Sequence, residues 1–441
     1  MPATPNILII YPDQWRADTL GFLVTTPART PHLDRLAREG RHFPEAFVAN
    51  PVCTPSRGSF QTGRYPHTTG VTANDVRLPL EETGFAEVLA AAGYRTGYIG
   101  KWHLDGEPRP GFVPLERRHG WQWWAGFNRG HRYYDGVYFR DSEQPLPAPG
   151  FEPDHQTDLA IEFLEESARQ ASRPFCLMLA WGPPHTPLDP PERHQSSYRP
   201  EDMQLPASVP ATVAGQAQAE RARYYGLVTA LDDNVGRLLD TLDRLVLADD
   251  TLVLFTSDHG DSLGEHGLFR KTIPYDEATC VPFLVRWPGR IPAASTDSNF
   301  VRSVDVGPTL TGICGLAMGP QVQGHDLSSA LLGDANASAN SAYMEGHFRP
   351  ASADSPEEPT IPEHWRALRT PEHLVVTDLR GAVHLLFDLR TDPLALHNLA
   401  GLSDAQEMQR TLLARLRAEA LALGDPAPLS ETPTARSLTA H

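Results

Sequence analysis

The chain has 441 residues, 40% of them hydrophobic and 21% charged, with a formal net charge of −17. That length suits two domains, and the composition is that of a folded enzyme, not of a disordered or fibrous chain. The acidic balance, with no basic block to offset it, excludes general affinity for nucleic acid or anionic membranes.

The chain opens MPATPNILIIYPD, a short apolar run leading straight into Asp13. No positively charged leader, long apolar stretch or small-residue cleavage site precedes it, so no signal peptide is read and a cytoplasmic, reducing location is expected. No apolar run approaches membrane-spanning length. Residues 6–11 (NILIIY) read as a strand buried on both faces. PHLDRLAREG is a short amphipathic helix stopped by Gly40, and FAEVLAAAG is another stopped by Gly93, with the strand RTGYIG after it. Helical periodicity spans 154–171, and PFCLMLAW is a strand. The run from Ala219 to Leu245 is a long helix, followed by the buried strand TLVLFTS and one more strand in VPFLVRWPG. This alternation predicts an α/β fold with a mostly parallel sheet flanked by helices over residues 1–335.

The character changes from about residue 335. ASADSPEEPTIP reads as a proline-rich, acidic loop or linker. HLVVTDL and VHLLFDL are spaced like an antiparallel pair, and SDAQEMQRTLLARLRAEALALG is an amphipathic helix with Ser403 as its expected cap. Residues 336–441 are thus expected to form a smaller α+β subdomain, frayed from 425 onward. Cys176 and Cys280 read as buried strand residues. With Cys53 and Cys314 they form no CxxC pair, no zinc spacing and no disulfide framework.

One positional regularity points to function. Asp13 directly follows the first strand, Lys101 and His103 follow TGYIG, His185 follows LMLAWGPP, and Asp258 and His259 follow LVLFTS. Ligands of doubly wound sheets bind beyond the carboxyl ends of the strands, so four strands deliver ionisable groups to one edge. Asp13, Gln14, Asp258 and His259 offer carboxylate and amide oxygens with one imidazole, a donor set for calcium, manganese or magnesium. For either pair alone a helix cap or a simple turn explains the residues as well; together they favour a metal.

Cys53 lies in NPVCTPSRGSFQTGRYP. A tyrosine-phosphatase loop needs arginine six positions after the cysteine; Ser59 stands there, and Arg57 is only four along. CTPSR followed by GSFQTGR instead resembles the signature of the sulfatases, the formylglycine-dependent, cysteine-type branch of the alkaline phosphatase-like superfamily, and the chain looks like a cytosolic, bacterial-type member. The resemblance continues through GKWHLDG, GPPHTP, SDHG and FDLRTDPLALHNLA. It implies that a formylglycine-generating enzyme oxidises Cys53 to formylglycine, with Pro55 and Arg57 in the maturation signal. The hydrated aldehyde would attack sulfur through one hydroxyl and expel sulfate through the other, a hard step split into two easier ones. The cation would activate the hydroxyl and draw charge from a sulfate oxygen.

By the same resemblance, Lys101 bonds the formylglycine hydroxyl and His103 helps deprotonate it. His185 contacts substrate and is a candidate acid for the leaving alcohol, and Lys271 grips a sulfate oxygen. His266 reads as structural. Two departures stand out: the metal pairs are Asp-Gln and Asp-His, as in the branch that includes phosphonate monoester hydrolases. Asn74 is placed like that branch's substrate-contacting asparagine, whereas the Lys101-x-His103 pair favours sulfate. A phosphonate monoester or phosphodiester hydrolase is therefore the alternative to a sulfatase, and a non-catalytic binding homologue is the third reading.

HGWQWWAGFNRGHRYYDG, dense in aromatic and basic residues, reads either as a substrate-pocket wall carrying Trp123 and His131 or as a packed surface loop. The acidic exterior hints at small substrates in preference to heavily sulfated polymers. The expected partner is a small-molecule or saccharide sulfate ester. No nucleic acid or membrane is expected, and a homo-oligomer is left open.

Overall fold

A computed structural model describes residues 4–23, 26–107, 109–170, 173–334, 340–348 and 361–427. The main sheet has eight strands, in chain order β1 (Asn6–Ile10), β2 (Arg41–His42), β3 (Arg95–Lys101), β4 (Trp123–Phe127), β5 (Phe175–Ala180), β6 (Thr251–Phe255), β7 (Leu284–Arg286) and β8 (Ser295–Thr296). Their spatial order is β8-β2-β7-β6-β1-β5-β3-β4. Five consecutive strands, β6-β1-β5-β3-β4, are parallel and run to the β4 edge, and β7 runs antiparallel to both β6 and β2. β1 sits in the middle, with Ile7, Leu8, Ile9 and Ile10 fully buried. That is the continuous apolar run expected of a strand covered on both faces.

Helices cover both sides: α1 (Pro31–Glu39), α2 (Cys53–Thr62), α3 (Phe85–Ala91), α4 (Glu152–Arg169), α5 (Ala214–Arg244) and α6 (Ser303–Ile313). Two large apolar clusters, one on each face of the sheet, share the alternating side chains of β1: Ile7 and Ile9 on one, Leu8 and Ile10 on the other. Gly100, near the end of β3, has φ 97° and lies so close to β5 that a Cβ would meet Ala180 O at 2.1 Å. Only glycine permits that approach.

A second, four-stranded antiparallel sheet follows, with β9 (Ala342–His347), β10 (His364–Arg369), β11 (His373–Asp378) and β12 (Val383–Asp388) in that order. The two strands expected from HLVVTDL and VHLLFDL are β11 and β12; β9 and β10 were not expected. The terminal helix α7 (Gln406–Ala422) buries Leu412 and Leu416 with Leu368, Val375 and Leu386 of this sheet and Tyr65 of the main body. The mostly parallel sheet with a smaller antiparallel sheet and helix agrees with the sequence.

Five local readings are corrected or fall outside the described residues. Ser403 is not the cap of α7: it opens a short 3-10 turn, Ala405 precedes the helix, and the Ser403 hydroxyl bonds Asp404 instead. Cys280 is buried but precedes β7, paired only through an isolated bridge to Phe47. The linker ASADSPEEPTIP falls almost wholly at residues 349–360, outside the described residues, as do 335–339 at the expected boundary and 428–441 in the expected frayed end. No described helix is long and apolar enough to cross a membrane.

Candidate functional site

The carboxyl ends of β1, β3, β5 and β6 meet the amino end of α2. Asp13 N bonds Trp181 O and His185 N bonds Asp13 O, so the β1–β5 pairing continues past both strands and sets Asp13 beside His185. α2 is buried along all ten residues, opens after Val52 with no side-chain cap, and closes at Gly63 in the left-handed region. Pro55 fits its first turn, where its missing N–H would lack a helical partner anyway. Asn74 Oδ1 accepts from Thr54 N at 3.1 Å, meeting one of the free amides of that turn. The positive end of α2 therefore points at Cys53, where it favours an anion.

Arg57 and Lys101 order the two carboxylates. Arg57 Nη2 lies 3.2 Å from Asp13 Oδ2 and 2.9 Å from Asp258 Oδ2, and Lys101 Nζ lies 2.5 Å from Asp13 Oδ2. Each Oδ2 oxygen is thereby taken by a cation. Each Oδ1 faces His259 Nε2, at 3.5 Å from Asp13 and 3.6 Å from Asp258. His259 Nδ1 is 2.9 Å from Gly260 O, an acceptor, so Nδ1 carries a proton and the Nε2 lone pair is left for the cluster. Asp13, Cys53, Asp258 and His259 bring ligand atoms within 4.8 Å of one another. Gln14 Nε2 donates to Asp261 Oδ2 at 2.6 Å, which turns Oε1 toward Lys271. Two carboxylate oxygens, an amide oxygen and one imidazole fit a hard divalent cation.

The charges around Cys53 are tightly coupled. Cys53 Sγ is 3.0 Å from Lys271 Nζ and 3.3 Å from His259 Nε2. Burial and Asp13 oppose its ionisation, but Lys101 and Lys271 hold the thiol well below its ordinary value. Against its own burial, Asp13 is held low by Lys101, whereas burial and the Asp13 charge push Asp258 up. Two carboxylates sharing one site behave in this way.

The imidazoles flank this centre. His103 Nε2 lies 3.3 Å from Asp75 Oδ1, while its Nδ1 is buried with no hydrogen-bond partner. His185 Nδ1 lies 2.7 Å from Thr186 O and so carries its proton there. Burial, with Lys271, pushes His185 down to about 3. His131 stacks on it, with ring centroids 4.1 Å apart and planes at 10°. Gln14 and His103 both have positive φ, 69° and 60°, a strain that non-glycine residues carry mainly at functional sites.

Twelve of the thirteen expected residues therefore converge: Asp13, Gln14, Cys53, Arg57, Asn74, Lys101, His103, His131, His185, Asp258, His259 and Lys271. Trp123 does not. It is the first residue of β4, at the amino end of the sheet, where it packs on Phe163 and under Arg140. Four residues of strand, about 13 Å, separate it from the site edge. His266, expected to be structural, stacks on Tyr275 at 4.1 Å. Sequence reasoning missed Asp261, although it stands two residues past His259 in SDHGD. It also missed Asp75, Arg109 and Arg129, which have no motif of their own.

The sulfatase family model matches residues 5–316, and a model described as N-sulphoglucosamine sulphohydrolase, C-terminal, matches 264–421. An ulvan-active sulfatase of Formosa agariphila is 34% identical, covering 96% of this chain and 82% of its own. An N-acetylglucosamine-6-O-sulfatase of Bacteroides thetaiotaomicron is 26% identical over 93% of this chain and 85% of its own. A Bacteroides fragilis protein assigned as a sulfatase has a crystal structure that superposes with a TM-score of 0.86, at 29% identity and 97% of each chain.

Proposed function

The chain belongs to the sulfatase family and is a sulfuric ester hydrolase, and from that premise we propose that it cleaves a sulfate ester from a saccharide. Position 53 acts as formylglycine, made from Cys53 by a formylglycine-generating enzyme. Asp13, Gln14, Asp258 and His259 hold one divalent cation, calcium first, with manganese or magnesium also suited to the donors. The saccharide reading is supported by the relatives' activities toward ulvan and N-acetylglucosamine 6-sulfate. One observation carries the chemistry: residue 53 heads a buried helix between Lys271 and His259, at 3.0 and 3.3 Å.

In this reading the converted side chain supplies the attacking hydroxyl, and the cation polarises the sulfate. The remaining work belongs to the protein. Lys271 and Lys101 spread positive charge where sulfate oxygens gather charge in the transition state. Asp75 fixes the Nε2 proton of His103, so the free Nδ1 lone pair is the base that accepts a proton from residue 53. His185, with Nδ1 held by Thr186, keeps Nε2 for the leaving oxygen. It is neutral before substrate arrives, and the sulfate charge raises its affinity for the proton it then donates.

The test is the mass of the peptide containing Cys53 from protein co-expressed with the generating enzyme, read beside sulfate release from galactose 6-sulfate. Conversion with sulfate release supports the reading. An intact thiol in protein from cells that convert a control sulfatase would overturn it. The Asp-Gln and Asp-His metal pairs and Asn74 also suit phosphonate monoesters; a higher kcat/KM on phenyl phenylphosphonate than on any sulfate would favour that reading.

A further inference from the structure

The rim of the site beside His103 is cationic in a protein whose net charge is −17. Arg129 and Arg109 both bond Asp75. Just behind them, Arg117 Nε and Arg77 Nε lie 2.8 and 3.6 Å from Asp105 Oδ1. Four arginines thus meet two carboxylates. Asp75 also receives His103 Nε2, so the cluster is continuous with the reaction centre.

The guanidinium donors outnumber their acceptors. A guanidinium has five N–H donors. Arg129 spends Nη1 on Asp75, and its Nε is buried with no hydrogen-bond partner. That Nε is closed to a ligand, which leaves Nη2 as the donor Arg129 can offer. Arg109, with its side chain 48% exposed, spends only Nη2 on Asp75. Both arginines join the site through Asp75 and His103, whereas the sulfate to be cleaved belongs beside Lys271 and residue 53, so the donors they have left meet a different group of the substrate.

Resting on the sulfatase reading above, we propose that Arg129 and Arg109 form a second anion subsite, and that the substrate is a sulfated saccharide bearing another anionic group near the ester. That group is a carboxylate or a second sulfate; both are planar or tripodal acceptors that match the arginine fork. The loop after β4 then straddles the site, with Arg129 on the His103 side and His131 on the His185 side. The acidic exterior does not oppose this, because charges beyond about 10 Å are screened at physiological salt.

Binding is measured by calorimetry on the unconverted Cys53 protein with three probes: galactose 6-sulfate, glucosamine N,6-disulfate and glucuronic acid 3-sulfate. At least one doubly anionic sugar should bind about 10-fold tighter than galactose 6-sulfate, an advantage typical of charge-assisted contacts. Which one does so separates carboxylate from sulfate. Arg109→Gln, on an exposed side chain, and Arg129→Gln should each pull that ratio toward one. Absence of the preference in the wild type, or its survival in both variants, would overturn the subsite. If the preference holds and depends on the arginines while the converted enzyme releases sulfate from none of the probes, the subsite stands and the proposed reaction on these sugars fails.

Discussion

Lys271 Nζ stands 3.0 Å from Cys53 Sγ, although 218 residues separate them in the chain. The ammonium is buried, and the charges of Cys53, Asp13 and Asp258 hold its proton against that burial. It is fixed in place before any substrate arrives, so no reorganisation is needed when charge develops. Replacing Lys271 with alanine should lower kcat/KM on a sulfate ester about 10²–10³-fold, the range found for removal of one such donor. A loss below 10-fold in initial-rate kinetics would remove Lys271 from the transition state.

Arg57 is a structural counter-ion as much as a site residue. It lies against both Asp13 and Asp258 with its side chain 2% exposed. Arg57→Met leaves two buried carboxylates facing each other, and breaking a buried pair in this way costs about 3–5 kcal/mol. Urea unfolding in chelator should report that loss. Millimolar calcium should recover part of it, by binding the carboxylates that the arginine no longer neutralises. A variant as stable as the wild type without metal would contradict the assignment.

Glu152 should shape the dependence of stability on pH. Its carboxyl is buried, with Oε1 unpartnered, and burial raises it to about 8 against its ordinary 4.5, more than Gln156 and Lys101 lower it. The folded state therefore holds a proton that the unfolded chain releases. Stability is fully present below about pH 4.5, declines as pH rises, and levels off above pH 8, with a total cost of at most about 5 kcal/mol. Glu152→Gln should be more stable than the wild type at pH 8 and equal to it near pH 4.5. Parallel stability curves across that range would rule out this role.

His67 ties the main body to the second sheet. Its Nδ1 lies 3.0 Å from Glu345 Oε1 and 3.7 Å from Asp425 Oδ2, and Arg366 pairs with both carboxylates. Although burial opposes it, the Glu345 hydrogen bond raises the imidazole above its ordinary value. Its contribution is present below about pH 6.5 and is lost as pH rises through the raised folded value. His67→Phe should erase that part of the slope. Hydrogen exchange in α7 should then become faster at pH 6 and stay unchanged at pH 9; equal exchange at both pH values would show that the pair does not fasten the helix.

Much of this site was present in the chain before folding. Strand ends followed within three residues by ionisable ones, as at Ile10 and Asp13 or Phe255 and Asp258, place chemistry by short-range order alone, because a buried parallel strand has an unmistakable apolar run and a fixed direction. The same local logic located Lys101, His103 and His185 and the two strands β11 and β12, whereas Cys53 was found by the likeness of its segment to the sulfatase signature. It failed wherever the outcome depended on partners distant in the chain. Trp123 sits in the right segment but at the wrong end of β4, a matter of strand register. β9, broken by Gly346 and a glutamate, became a strand only because β10 was there to pair with it. Asp75, Arg109 and Arg129 bear no pattern; they met because three loops fold over one helix end, and Coulomb attraction at hydrogen-bond distance selected the arrangement. The sequence by itself determined which side chains reach the edge of the sheet. The tertiary structure decided which oxygen faces a cation, which nitrogen keeps its proton, and which arginine is left with a donor to spare, because those depend on distances of a few ångströms between residues hundreds of positions apart.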